Sequence, residues 1–185
     1  LSSNASHKVN FADASDDSEL QESATSHLGI CTGDFLRFGK LFWEVNAVDK
    51  DWEFQQSSIS ATTEYSGLTN VIYWQNGAGE FLRFLEDRLG ENGINAWLRG
   101  KEAWNKRGLA ITATGKLPVS LYMGNLFDNN ISVVIPNERE VLPSIWAYGS
   151  SSKFHDEVRS INQQLKITDQ SFVEIPFSNE WAQLA

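Results

Sequence analysis

The sequence predicts an α+β fold, in which a twisted, mostly antiparallel or mixed sheet is packed with helices. Three short apolar and β-branched runs, 109–114, 119–123 and 131–135, are separated by turn residues and predict the successive strands of a meander. Two later stretches, 142–149 and 152–165, instead repeat apolar residues at helical spacing. Strands followed by helices along the chain are typical of α+β domains.

The composition indicates a folded protein rather than a disordered one. Of the 185 residues, 41% are hydrophobic and 12% aromatic, which is enough for one packed core. Cys31 is the single cysteine, so an internal disulfide is excluded and a reducing compartment is favoured. No apolar run approaches the ~20 residues that span a bilayer. We therefore expect a cytoplasmic protein without membrane contact.

The net charge of −9 argues against a simple nucleic-acid-binding module, because such modules are usually basic. The charge is unevenly distributed. Residues 1–27 hold five acids and one lysine, whereas 81–116 holds seven basic and four acidic residues. An acidic segment beside a mildly basic centre leaves nucleic acid open as a partner.

Residues 1–27 lack a hydrophobic period and are rich in Ser, Asp, Glu and Ala. This composition predicts a disordered leader. Ser3-Asn4-Ala5 also looks like the remnant of a cleaved expression tag, in which case the segment marks the boundary of an expressed fragment. In both cases we expect a single α+β domain over 28–185.

Local patterns predict the elements of the first half of this domain. Thr32-Gly33-Asp34 is a turn by composition, and the polar stretch 51–68 predicts a long surface loop. Residues 70–75 combine β-branched and aromatic side chains and predict a strand. Apolar residues on one face predict helices over 81–89 and 96–107.

Capping and periodicity predict the C-terminal elements. Ser152 is the predicted N-cap of the last long helix. The core-facing stripe of that helix comprises Phe154, Val158, Ile161 and Leu165. A short strand is predicted over 172–177.

No catalytic motif is visible. The three histidines are too scattered for a metal site, and Gly77-Ala78-Gly79 lacks the lysine of a phosphate-binding loop. The glycine motif that binds S-adenosylmethionine and the Asn-Pro-Pro-Tyr type of methyltransferase motif are missing. The sequence therefore assigns no catalytic residue and no metal ligand to this chain, and whether the chain is part of an enzyme stays open.

A degenerate nuclease is a weak third possibility. It would require Asp156, Glu157 and Lys166 to converge around a metal. We interpret Lys166 instead as a helix-end residue that follows Leu165 of the core-facing stripe.

Side chains suited to phosphates and base edges occur mainly in turns and at helix ends. The candidates for DNA binding are Arg37, Lys40, Gln75, Asn76, Arg83, Arg88, Arg99, Lys101, Lys106, Arg107 and Lys116. The densest group lies between Arg99 and Lys116. A solvated helix face with ordinary solubilising charges explains any single one of these residues equally well.

Several segments resemble one family in their order along the chain. They are GICTGDFLRF (29–38), followed by Trp43-Glu44-Val45; GLAITATGKLPVSLYMGNLFDNN (108–130); and LPSIWAYGSSSKFHDEVRSINQQLKIT (142–168), followed by Ile175-Pro176-Phe177. Together these segments resemble the target recognition, or specificity, domains of fused type IIG restriction–modification methyltransferases and of type I specificity subunits.

The resemblance implies a DNA sequence-recognition domain of a larger restriction–modification protein. Such a domain contacts duplex DNA and positions it for an adenine-N6 methyltransferase or endonuclease domain of the same polypeptide. The resemblance implies S-adenosylmethionine in that methyltransferase domain and no cofactor in this chain.

An alternative from another class is a protein–protein interaction or regulatory domain of a restriction or phage-defence assembly, in which the acidic surface contacts a basic partner. Clustering of charge discriminates the two hypotheses. Basic residues of 99–116 that converge beside Gln75 and Asn76 would favour DNA, whereas acids on every large face would favour the interaction domain.

Overall fold

The computed structural model describes residues 18–183. The strands are β1 (Ala24–Leu28), β2 (Gly39–Leu41), β3 (Trp52–Gln56), β4 (Asn70–Tyr73), β5 (Gly108–Thr112), β6 (Val119–Tyr122), β7 (Leu126–Phe127) and β8 (Ile131–Pro136). The α-helices are α1 (Phe35–Phe38), α2 (Glu80–Leu89), α3 (Leu142–Gly149), α4 (Ser152–Ile161) and α5 (Asn179–Ala182). Short 3₁₀ turns lie at Leu20–Glu22, Phe42–Glu44, Gln75–Gly77, Ile94–Ala96, Lys101–Ala103, Arg139–Val141 and Asp169–Phe172.

The described strands form two four-stranded sheets. Sheet A has the order β1-β8-β5-β6, and all of its neighbours are antiparallel. Sheet B has the order β2-β4-β3-β7 and is mixed, because β3 and β7 run parallel. The fold is α+β, as the sequence predicts.

The central strands of sheet A, β5 and β8, are buried on both faces, which explains their continuous apolar runs. Leu109 and Ile111 of β5 lie in one core cluster with Ile145 of α3 and Phe154 of α4. The intervening Ala110 faces a second cluster, which contains Tyr122, Phe127 and Val133. Packing on both faces therefore fixes the central strands of sheet A, and these strands in turn position the loops at their ends.

Sheet B packs against α2. Ile72 of β4 forms a core cluster with Phe81 and Leu85, which lie four residues apart on one face of the helix. Trp74 closes this cluster and contacts Trp104 edge-on, with ring centroids 5.5 Å apart. The strand predicted over 70–75 is β4, which ends at Tyr73, and the helix predicted over 81–89 is α2, which begins at Glu80.

Residues 18–27 belong to the fold, so the predicted start of order at residue 28 is wrong for them. Leu20 is buried in the same cluster as Ile145, and β1 forms an edge of sheet A by pairing with β8. An edge strand with one buried face needs few apolar residues, and Ala24 is its only fully buried one. The prediction for residues 1–17 lies outside the described residues.

The three strands of the predicted meander exist, but their predicted order is wrong. After β6 the chain enters sheet B as β7, which pairs with β3. It then returns to sheet A as β8, which pairs with β5 and β1 rather than with β6. β5 is therefore a central strand, flanked by β6 and β8.

Residues 96–107 do not form the predicted helix. Gly100 has a φ of 79° and Asn105 a φ of 63°, both in the left-handed region, so an α-helix cannot continue through them. Leu98 is nevertheless buried, with 6% of its surface exposed, and packs in the cluster of α2. The helical spacing of the apolar residues here reflects two tight turns that pack on the core.

The polar stretch 51–68 contains strand β3, so it is only partly a surface loop. Gln55 and Gln56 are completely buried in sheet B, and Gln56 Nε2 donates hydrogen bonds to the carbonyl oxygens of Ser66 (2.9 Å) and Leu121 (3.2 Å). Because both residues are glutamines, the composition of this stretch predicts a surface loop rather than a strand.

The C-terminal predictions need three corrections. Residues 172–177 form no strand; Pro176 makes one isolated bridge with Glu19. The N-cap of α4 is Ser151, whose Oγ accepts a 3.3 Å hydrogen bond from the backbone N–H of Phe154. Because α4 ends at Ile161, Leu165 lies beyond the helix and is 86% exposed, so it does not belong to the core-facing stripe.

Candidate nucleic-acid interface

A basic groove lies where β5 begins and β8 ends. We call it the arginine groove; it is lined by Asn105, Lys106, Arg107, Ile135, Pro136, Asn137 and Arg139 and has a volume of about 380 Å³. The antiparallel register, with Leu109 opposite Val134, brings the segment before β5 beside the segment after β8. The backbone N–H of Asn105 donates to the carbonyl of Gly124 (2.9 Å), which fixes the approach to β5.

The cationic side chains of this groove are exposed and unengaged. Among residues 18–183, neither Arg107 nor Arg139 forms an ion pair or a side-chain hydrogen bond, and the same holds for the ammonium group of Lys106. Glu138 and Glu140, the neighbours of Arg139 in sequence, do not line the groove. Three free cations beside two carboxamides are an arrangement suited to a phosphate backbone and nearby polar groups.

A smaller apolar cleft adjoins the arginine groove and shares Arg107 and Arg139 with it. Its remaining lining consists of Leu121 from β6 and of Leu142, Pro143 and Trp146 from α3, and its volume is about 300 Å³. Leu142 and Trp146 are four residues apart and therefore share one face of α3. We call this space the tryptophan cleft.

Lys116 lies in a different groove, at the other end of β5. That groove is lined by Ser58, Ile59, Ser60, Ala61, Thr62, Thr112, Thr114, Gly115, Lys116 and Pro118, and its volume is about 580 Å³. Thr112 Oγ1 ties its two walls together, since it accepts from the N–H of Ile59 (2.7 Å) and donates to the carbonyl of the same residue (3.1 Å). One lysine among hydroxyl groups could contact phosphate or sugar.

Several predicted DNA-binding residues are engaged within the protein. Arg37 pairs with Glu80 and stacks over Phe38 at 4.7 Å from the ring centroid. Gln75 Oε1 accepts a 2.7 Å hydrogen bond from the backbone N–H of Glu80, so this amide caps the first turn of α2. These contacts compete with any role in nucleic-acid binding.

The remaining candidates are spread over the surface. Arg88 stacks over Trp97 at 5.3 Å, and Lys101 Nζ donates to Asn95 Oδ1 at 3.1 Å. Arg99 is half-buried, and its Nε has no hydrogen-bond partner among the described residues. Asn76 and Arg83 are exposed and line neither the arginine groove nor the groove of Lys116.

Lys40 lies in an acidic environment. The groove that it lines also contains Glu44, Asp49 and Asp51, which would repel a phosphate. The eleven candidates therefore do not form one surface; of them, only Lys106 and Arg107 line the arginine groove.

Sequence reasoning missed Arg139, Asn137 and Asn105. No local pattern distinguishes Arg139, which has an acid on each side. The signal that could have found it is the pairing of β8 with β5, because that pairing alone brings residue 139 beside residue 107.

Burial shifts the pKa values of two side chains, His27 and Asp128, in opposite directions. Burial lowers the pKa of His27 in β1; the nearby charge of Lys106 lowers it further, and Glu102 opposes the shift. Burial raises the pKa of Asp128, although hydrogen bonds from Ser57 and Asn130 and the charge of Lys166 oppose this. His27 is therefore neutral near pH 7 and adds no charge there.

The described residues hold no group of three or more His, Cys, Asp or Glu side chains placed to bind a metal ion. Asp156 instead contacts His155, with 3.3 Å between Oδ1 and Nδ1. The nuclease hypothesis thus has no metal cluster to support it within 18–183. In the same part of the chain, no helix combines the length and apolarity needed to cross a membrane.

No protein-family model matches the sequence, and no curated protein matches it significantly. Among solved structures, the chain is similar to the type IIL restriction–modification enzyme MmeI in complex with DNA. The TM-score is 0.50 over 86% of this chain, at 11% sequence identity. The fold is similar to that of part of a restriction–modification enzyme. The chain covers 24% of the MmeI chain, so the similarity concerns about a quarter of that enzyme.

Proposed function

We propose that this chain is a DNA-contacting recognition domain of a restriction–modification protein. It holds duplex DNA through the arginine groove and positions it for a catalytic domain outside these residues. The observation that carries the proposal is the group of three unengaged cations, Lys106, Arg107 and Arg139, in a protein whose net charge is −9.

The groove has the residue types that DNA binding requires. Arginine and lysine neutralise phosphates, and the carboxamide of Asn105 can donate to or accept from base edges. The carboxamide of Asn137 offers its oxygen as an acceptor, because its nitrogen donates a 3.1 Å hydrogen bond to the carbonyl of Glu22. The similarity of the fold to part of an enzyme solved with DNA supports the same function. An overall negative charge does not prevent such binding, because exposed charges more than ~10 Å apart are largely screened at about 0.1 M salt.

We assign the chemistry of the whole protein to an adenine-N6 methyltransferase domain that binds S-adenosylmethionine. This part of the proposal is supported by the sequence resemblance alone.

The test is fluorescence anisotropy with a labelled duplex, titrated from low to physiological salt. We expect binding that weakens as salt rises, and we expect the Arg107→Ala/Arg139→Ala variant to reduce the slope of log K against log[salt] by about 2, roughly 1 for each phosphate contact. The matched control is Lys50→Ala/Lys153→Ala, which also removes two positive charges. Both lysines are exposed, and neither lines the arginine groove or the tryptophan cleft. Absence of binding at low salt, or equal loss in both variants, contradicts the proposal.

A second candidate, a protein–protein interaction domain, is favoured by one observation. Phe42 and Trp43 are 42% and 61% exposed, and their rings contact each other with centroids 5.0 Å apart. Exposed aromatic pairs are common at protein contacts. Unchanged DNA affinity of the Trp43→Ser variant in the same titration would place this pair outside the DNA contact, as the second candidate requires.

A further inference from the structure

The tryptophan cleft combines an apolar interior with two cations at its mouth. Leu121, Leu142, Pro143 and Trp146 form its walls, while the unengaged Arg107 and Arg139 line both this cleft and the arginine groove. A ligand that fills both spaces must therefore carry an apolar, preferably flat, group next to an anionic one. A nucleotide has this chemistry.

The walls of the cleft are held rigidly. Ile145 and Tyr148 fix α3 in the core, and the Tyr148 hydroxyl donates a 2.8 Å hydrogen bond to the carbonyl of Pro176. Leu121 stands on β6, whose neighbour β5 is central in sheet A. The cleft is thus formed before any ligand arrives, which lowers the entropy that binding must overcome.

We infer that the tryptophan cleft receives one unpaired nucleotide of the bound DNA, with its base against Trp146 and its phosphate between Arg107 and Arg139. This inference rests on the proposed function, because it takes DNA as the ligand of the arginine groove. A paired base inside a duplex keeps both faces covered by its neighbours in the stack, so within the duplex an unpaired base is the one that can place a face against an aromatic side chain.

Charge complementarity favours this occupant over a purely apolar one. An aliphatic or aromatic protein side chain would fill the cleft but leave the two guanidinium charges uncompensated, whereas the phosphate of a nucleotide would neutralise charge beside the cleft. Arginine also binds phosphate in a bidentate manner, which would fix the orientation of the sugar and base.

The experiment compares two duplexes of equal length, one perfectly paired and one with a single unpaired nucleotide. We expect the second to bind about tenfold more tightly, as one base–aromatic stack allows. Trp146→Ala should abolish this preference and keep the affinity for the paired duplex, while Trp146→Phe should keep both. Arg107→Ala should weaken the binding of both duplexes.

Trp146 also packs against the core, so its alanine variant could lose stability. A second readout therefore uses the unmutated chain. The indole N–H resonance of Trp146 is assigned by its loss in the Trp146→Phe variant. It should shift when the duplex with the unpaired nucleotide is added, and should not shift with the paired duplex or with inorganic phosphate.

The outcomes separate this inference from the proposed function. Equal affinity for the two duplexes, or an indole resonance that does not move, overturns the inference and leaves salt-dependent DNA binding intact. The inference is also overturned if a deoxynucleoside monophosphate, at equal concentration, displaces the duplex that has the unpaired nucleotide. The cleft would then be a site for free nucleotides. Failure to bind either duplex at low salt contradicts the proposed function itself.

Discussion

Arg107 and Arg139 lie on the walls of one groove because β5 and β8 are antiparallel neighbours. Arg107 immediately precedes β5, and Arg139 lies in the 3₁₀ turn after β8. In a meander, β8 would pair with β6 and run parallel to β5, so its end would lie near Lys116 instead. The strand order thus determines which cations meet.

The first prediction concerns Gly108, the residue that joins Arg107 to β5. A Cβ at this position would lie 2.2 Å from the carbonyl oxygen of Val134, which belongs to the backbone of β8 and cannot move aside easily. Gly108→Ala should therefore separate the two strands, lower the free energy of unfolding by about 1–3 kcal/mol, and weaken DNA binding together with it. Chemical denaturation and anisotropy measure the two effects.

The control for this prediction is Gly90→Ala. Gly90 has a φ of 71° and a ψ of 162°, a conformation that almost only glycine adopts, and open space around its Cβ position, so the substitution introduces only backbone strain, about 1–3 kcal/mol. Its DNA affinity should stay unchanged. Equal loss of DNA binding in both variants would mean that general stability, rather than the position of Arg107, controls affinity.

A second prediction uses the distance between the arginine groove and the groove that Lys116 lines. The five residues of β5, at ~3.3 Å per residue, separate Arg107 by roughly 17 Å from Thr112, which lines the same groove as Lys116. Substitutions this far apart should act independently, so the binding free-energy changes of Lys116→Ala and Arg107→Ala should add within about 0.5 kcal/mol. Arg107→Ala and Arg139→Ala share one groove and should deviate from additivity by more.

A double-mutant cycle in the anisotropy assay measures both couplings under one salt condition. Strong coupling between Lys116 and Arg107 would contradict the separation of the grooves. No effect of Lys116→Ala at all would remove the second groove from the interface and leave the first unaffected.

The third prediction distinguishes structural from binding arginines. Arg37 pairs with Glu80 while both side chains are about half exposed, and it stacks over Phe38. Arg37→Ala should lower the free energy of unfolding by no more than about 1 kcal/mol and leave DNA affinity unchanged. A loss of affinity as large as that of Arg107→Ala would show that the pair opens to contact DNA. Thermal unfolding beside the DNA titration checks both statements.

Local patterns were sufficient to predict much of the fold. β4, β5, β6, β8, α2, α3 and α4 all match predicted elements, because their apolar residues repeat at the period of the structure that they form. β3 was missed because Gln55 and Gln56 have the composition of a loop, although both are buried. The apparent helix over 96–107 fails at residues in left-handed conformation, which apolar spacing does not reveal.

The candidate site was only partly predictable. Lys106 and Arg107 were among the candidates because they belong to a dense basic segment. Arg139 was absent from them, since its relation to Arg107 depends on long-range strand pairing, which no local pattern encodes. The role of every candidate in DNA binding stays a prediction until the titrations above are made.

The last prediction concerns Asp128, which lies in the segment that connects β7 of sheet B to β8 of sheet A. Its exposed fraction is 7%. Its carboxylate accepts hydrogen bonds from Ser57 Oγ (2.6 Å) and from the backbone N–H (2.9 Å) and Nδ2 (3.0 Å) of Asn130. Burial nevertheless raises its pKa above the ordinary value of 3.8. Between the unfolded and folded pKa values the folded chain therefore holds more protons than the unfolded chain.

The sign of the pH dependence follows from this difference. The contribution of Asp128 to the free energy of unfolding is largest at low pH. It falls as the pH rises from about 4 through the raised pKa. Asp128→Asn removes this contribution, so the stability of the wild-type chain relative to the variant should decrease between pH 4 and pH 7. Urea unfolding across that range measures it, with the exposed Asp87→Asn as the control for a lost surface carboxylate. A relative stability that increases with pH would mean that the hydrogen bonds from Ser57 and Asn130 outweigh burial and hold the ionised carboxylate in the folded state.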